Sequence, residues 1–239
     1  MFRTLFIIPL INALVFFYNT IAFQDLGLAI IFLTLFIRII LFPFFHKGTK
    51  NQILLQRLQP KIKKIQEDHK NEKEKQAQAM MELYKEHKVN PFSSILLLFI
   101  QLPVLIALYQ VFWRDLSPEM FQSLYSFIST PSALHTTFLG LIDMKEKSIL
   151  IVGLAAIFQY IQGYLTLPKI EKGKELSAPE KMGRQMVYFS PIITLVILSS
   201  LPSAVGLYWI VTGIFSIAQQ IYINKTLNIG EEEKIHHIT

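Results

Sequence analysis

The sequence predicts an all-α polytopic membrane protein, and three observations predict it. Hydrophobic residues make up 52% of the 239 positions and charged ones only 17%, where a soluble domain carries about 25% charged. The apolar residues gather into stretches of about 20, long enough at roughly 1.5 Å per residue to cross a hydrocarbon core of about 30 Å. The basic residues behind the net charge of +6 gather between those stretches. Mean hydropathy is +0.40. The chain has no cysteine, which excludes a disulfide framework, a thiolate zinc site and a cysteine nucleophile.

Taken in order, the first stretch is Thr4 to Phe23, within an N-terminal segment 1–24. Thr4, Asn12 and Asn19 fall near one helical face of it. That polar stripe admits a span, an amphipathic helix lying in the interface, or a signal peptide; the last is poorly supplied, with Arg3 alone ahead of it and no small-x-small cleavage site. The next stretch, 25–45, is uncharged from Leu26 to Phe45 except for Arg38. Segment 46–91 is too polar for lipid and regular in pattern. Leu54, Leu58, Ile62 and Ile65 are followed, after the break EDHKNEKEKQ, by Ala77, Met80, Met81 and Tyr84. This predicts two amphipathic helices folded as a hairpin, with Pro60 kinking the first arm or opening a second helix within it. Its lysines either face anionic headgroups or dock an acidic partner; composition leaves both open.

Spans are then expected over 92–113 and 148–167, flanking an external segment 114–147, with a loop at 168–184. The stretch 185–224 is too long for one span. Leu201-Pro202-Ser203 near its middle divides it into two helices, because proline removes a helix donor and restricts the residue before it. The tail is 225–239.

Charge sets the orientation. Eleven basic and six acidic residues lie between His46 and Asn90, and five basic and three acidic between Pro168 and Arg184, against three basic and four acidic from Arg114 to Lys147. The positive-inside rule places the first two segments and the C-terminus in the cytoplasm and the third outside. A multi-pass protein of the cell membrane is the expectation.

Arg38 is the informative residue. It lies about 18 Å from the outer end of its stretch and about 10 Å from the inner end. A charge at depth costs about 2.5–3.5 kcal/mol on insertion scales unless it is paired or hydrated. None of the 17 acidic residues lies inside a membrane stretch, so a salt bridge at depth is not expected. The stretches do hold neutral polar groups: Thr34 one turn before Arg38, Gln101, Gln159 and Gln162 at helical spacing, and Thr212, Ser216, Gln219 and Gln220 near the C-terminal end. Unsatisfied polar groups in lipid cost several kcal/mol, so these residues belong at the bundle interior or in a wet cavity. Two readings stand: a hydrated cationic pocket in the inner half of the membrane, or a snorkelling arginine with the glutamines bridging helices.

The residues supply no enzyme chemistry. No histidine lies deep in a stretch, His236-His237 is too isolated for a metal site, and no phosphate-binding glycine loop, nucleophile elbow or paired intramembrane carboxylates occur. No catalytic residue, metal or cofactor is therefore expected, and the basic excess carries no direct nucleic-acid specificity.

Seven blocks, LGLAIIFLTLFIRIILFPFF, LQPKIKKIQEDHK, MMELYKEHKVNPFSS, LLLFIQLPVLIALY, FQYIQGYL, LPSAVGLYWIV and AQQIYI, resemble in order and spacing the YidC/Oxa/Alb family of membrane protein insertases. The resemblance is to the short bacterial form, without the large periplasmic domain. It matches Arg38 to the family's groove arginine, Thr34 to the threonine one turn earlier, and Gln101 to the polar position of the next span. Trp209 stands where many members have a substrate-facing tyrosine. The implied fold is five membrane helices around a groove open to cytoplasm and lipid, with an interfacial N-terminal helix and a cytoplasmic hairpin. The implied function is that of an insertase and chaperone. Its implied partners are nascent membrane proteins, the Sec translocon, lipids, and the ribosome through the cytoplasmic loops; the tail, with Lys225 and Lys234 against Glu231, Glu232 and Glu233, is a poor ribosome anchor. The competing expectation is a small anion channel or carrier using the same cationic pocket.

Overall fold

A computed structural model of the chain describes residues 1–113, 121–167 and 178–236. Parts of the external segment (114–120), of the loop expected at 168–184 (168–177) and of the tail (237–239, with His237) lie outside the described residues.

A π-helical turn, Arg3–Ile7, runs into α1, Ile8–Thr20. The chain then reverses through two left-handed residues, Phe23 and Gln24 (φ 52° and 60°). α2, Leu26–Ile40, begins at Asp25, whose carboxylate accepts the Leu28 N–H at 2.9 Å. This is an N-cap, satisfying one of the orphan amides of a helix start. The stretch expected as one span over 25–45 breaks at Leu41. α3, Phe42–Arg57, leaves α2 at 70° and carries Pro43 in its first turn. Pro43 cannot donate to a carbonyl four residues back, but fits the first turn of a new helix, so the physical reason for the bend is local.

α4, Gln59–Asp68, starts with Pro60 in its first turn, and α5, Lys73–Glu86, folds back on it. Leu58, Ile62, Leu83 and Val89 are buried between them, with Leu54, Ile65, Met80 and Tyr84 packed around. Met81 points outward at 53% exposure, and Leu83 takes the inner place.

α6, Ser93–Trp113, contains Pro103. Before the next helix the chain builds a two-residue-strand hairpin, β1 Thr137–Phe138 and β2 Ile142–Asp143, turned by left-handed Leu139 and Gly140. α7, Ile149–Leu165, starts at Ser148, whose hydroxyl accepts from the Ile151 N–H at 3.5 Å. α8 is Ala178–Leu198 and α9 is Ser203–His236. α9 therefore continues as helix through 225–236, the segment read as a tail.

α9 is the central element, packing against α7, α2, α3 and α6, while α8 packs on α7 and α3 on α6. Leu14, Tyr18, Ile30, Leu33, Leu108, Met144, Ala155, Val205 and Tyr208 belong to one buried cluster. The outward faces are apolar too: Ile39, Phe99, Ile149 and Val196 are 64–92% exposed. A bundle apolar inside and out suits lipid rather than water as its solvent. Among the described residues, Arg3–Thr20, Ile95–Phe112 and Ser203–Leu227 are long and apolar enough to cross a membrane. The bent pair α2–α3 passes as a broken span, and Ile149–Leu165 is a shorter apolar helix.

Candidate functional site

Arg38 and Thr34 lie one turn apart on α2 and both are buried, Arg38 to 5% exposure. The guanidinium carbon stands 4.3 Å from the centroid of the Phe45 ring and 6.0 Å from that of Phe215. Phe45 belongs to α3 and reaches Arg38 only because the chain bends at Leu41. A cation over a desolvated aromatic face gains on the order of 2 kcal/mol, comparable with the roughly 2.5–3.5 kcal/mol cost of placing the charge at depth. The two rings thus hold the buried side chain in place. No carboxylate of the described residues is paired with it.

Thr34 donates its hydroxyl to the Ile30 carbonyl at 2.6 Å, a bond within its own helix. Gln101 of α6 donates to the Tyr208 hydroxyl on α9, and Tyr208 is close enough to Arg38 to interact electrostatically. Thr212 follows one turn on, its hydroxyl beside the Tyr208 phenol. Phe215 packs edge-on against Phe42 of α3, and Tyr222 lies 6.4 Å, ring to ring, from His46 of α3. Tyr208, Thr212, Phe215, Gln219 and Tyr222 are spaced four, three, four and three, and so form one stripe of α9 facing α2 and α3. Gln219 is 5% exposed, and neither its Nε2 nor the buried Nδ1 of His46 has a hydrogen-bond partner among the described residues.

The other expected residues lie elsewhere. Trp209, one position from Tyr208 and so about 100° round the helix, donates its indole N–H to Gln159 Oε1 of α7 at 3.1 Å. The pair borders a cleft of about 210 Å³ between α7, α8 and α9, walled by Ser190, Ile193, Thr194, Ile197 and Leu198. Gln162 is half-buried one turn further along α7. The structure thus brings Arg38, Thr34, Gln101, Thr212 and Gln219 to one side of α9, and puts Gln159 and Trp209 together on another. Sequence reasoning missed Tyr208, Phe45, Phe215 and His46. Stepping back four from Thr212 and forward three would have found Tyr208 and Phe215; Phe45 and His46 had no signal, since they depend on the bend.

A helical bundle with apolar outer faces, a fully buried arginine and hydrogen-bonding groups turned inward defines an all-α polytopic membrane protein. Its family follows from comparison: residues 16–232 match the model for the 60Kd inner membrane protein, and the chain belongs to that family, the YidC/Oxa group its residue blocks resemble. The "Membrane protein insertase YidC" of Geobacter sulfurreducens is 31% identical over 223 residues, 93% of this chain and 38% of that protein. The protein of the same name from Wolinella succinogenes is 34% identical over 201 residues, 84% of this chain and 34% of its own length. That from Geotalea daltonii is 32% identical over 219 residues, 92% and 37% respectively. The chain spans about a third of the length of these relatives.

Proposed function

We propose that this chain is the part of a membrane protein insertase and chaperone that receives nascent membrane proteins, with Arg38 as the receiving group. The family membership and the relatives' names support the reading, and one structural observation carries it: a buried guanidinium held by rings, with no carboxylate of the described residues paired with it. A guanidinium offers five N–H groups in a fixed fork, two of which match a carboxylate. Rings attract the charge but leave those donors available.

An external tail with two or three charges would meet a barrier of roughly 5–10 kcal/mol in bare hydrocarbon. Transient pairing with Arg38 in the inner half of the membrane shortens the unsolvated path, and no nucleotide chemistry is needed. Apolar segments of the guest leave laterally into lipid along α6 and α9. The protein is multi-pass in the cell membrane with a cytoplasmic C-terminus. It works alone or beside the Sec translocon, and any ribosome contact falls to α4–α5 or the loop before α8. In proteoliposomes, Arg38→Ala abolishes insertion of guests with short acidic tails, whereas Arg38→Lys largely preserves it. Normal insertion rates for the alanine variant would overturn the role of Arg38.

A further inference from the structure

Arg38 accounts for the acidic groups of a guest, but a tail in the groove is also a stretch of backbone. While it is neither helix nor in water, its carbonyls lack partners, each at a cost of several kcal/mol. A receiving surface that meets only charge leaves that cost standing.

The α3–α9 interface carries what is missing. On α9, Phe215 reaches Phe42 and Tyr222 reaches His46. Gln219 lies between these two contacts, one turn from each, so its side chain is set against the same face of α3. It is 95% buried by its 5% exposure, yet its Nε2 amide donors meet no acceptor among the described residues. His46 Nδ1 is likewise buried and without a partner. Buried polar atoms in folded proteins are nearly always hydrogen-bonded, so two on facing elements mark a place where a partner comes from outside. From Phe215, which touches Arg38, to Gln219 is four residues, about 6 Å along the helix. That is close to the span of two residues of extended chain.

We propose that Gln219 and His46 form a second guest-binding position, on the cytoplasmic side of Arg38, that takes carbonyl oxygens of an extended polypeptide tail irrespective of its charge. This deepens the insertase reading and rests on it. Arg38 reads acidic side chains; Gln219 and His46 satisfy the neighbouring uncharged acceptors.

The test is a rate comparison in proteoliposomes for three guests that differ only in the external tail: acidic, uncharged but polar (Ser, Asn and Gly), and apolar. Gln219→Leu lowers insertion of the uncharged polar tail about tenfold, the size of one lost hydrogen bond in a dry site. It leaves the apolar tail unchanged, and Gln219→His, which keeps a donor, restores much of the loss. Arg38→Ala has its main effect on the acidic tail instead. A photo-crosslinker at position 219 captures the polar tail, and one at Ile221, 55% exposed on another face, does not. Equal slowing of all three guests by Gln219→Leu, or the same ranking of guests by both variants, would overturn the second position while leaving Arg38's role intact. Failure of the wild-type chain to insert or crosslink any guest would overturn both.

Discussion

Arg38 sits on a balance between two terms of similar size, and its neighbours decide which wins. Its charge is unfavourable at depth by about 2.5–3.5 kcal/mol, and the ring of Phe45 at 4.3 Å offsets much of that. Phe45→Leu keeps the apolar volume but removes the ring face. It is expected to lower the unfolding temperature in lipid nanodiscs, with about 1–2 kcal/mol lost, while Phe45→Tyr stays near wild type. Equal losses for the two would mean that Phe45 serves only as packing. At this scale the sequence was legible for the arginine and not for its partners. A lone cation in an apolar stretch is visible at once. Its partners were sought among carboxylates and amides, and proved to be phenylalanines, which in a chain with 19 of them carry no individual signal.

At the scale of elements, the bend at Leu41 organises the site, since it turns α3 by 70° from α2 and brings Phe45 under Arg38 and His46 against Tyr222 of α9. The apolar run from Leu26 to Phe45, broken only by Arg38, argued for one span, and periodicity cannot distinguish a bent pair from a single helix. The hairpin was better marked. Ile62, Ile65, Met80 and Tyr84 all pack at the α4–α5 contact, though Leu83 rather than Met81 takes the inner place on the second arm. What holds α3 in place is its approach to α6 at Gly48. A Cβ there would lie 2.6–2.7 Å from three atoms of Leu97, well inside contact distance. Gly48→Ala should therefore cost about 1–3 kcal/mol by overpacking, and Leu97→Ala should make room for it. A double-mutant cycle on unfolding free energy reads the prediction: the pair together should be less destabilised than the sum of the singles. Strict additivity would show that α3 is positioned by something other than this contact.

For the whole molecule the decisive feature is how the segment between α6 and α7 is tied to the helices. The polar stripe of α1 left open whether that helix spans or lies in the interface, because a lone segment cannot show what its asparagines meet. They meet the external segment. Asn12, 1% exposed, donates to the Ser123 carbonyl at 3.1 Å and accepts from the Tyr125 N–H at 2.6 Å. Asn19 donates to the Ser129 carbonyl at 2.7 Å. The Tyr18 hydroxyl accepts from the His135 N–H and donates to the Ala133 carbonyl, at 2.7 and 3.3 Å. Further on, Asp25 accepts from the Leu139 N–H at 2.6 Å, and the first amides of α9, at Ser203 and Ala204, donate to the carbonyls of Glu146 and Met144. Residues 123–146 are thus fastened to α1, α2 and α9 in turn. An anion channel needs a water path through these contacts, so cutting the fastening is a test of that reading. Asn12→Leu removes the partner of the part-buried Tyr125 N–H and Ser123 carbonyl, a loss of about 0.5–1.5 kcal/mol for each bond. Amides around 123–135 should then exchange hydrogen faster by an order of magnitude or more, while those of α7 and α9 hold their protection. Chloride efflux from proteoliposomes should be absent for the wild-type chain and rise only when the fastening is cut. Efflux from the unaltered protein, with the segment still protected, would mean that a water path already crosses the bundle, and the Arg38 site would then have to be understood as a place anions pass.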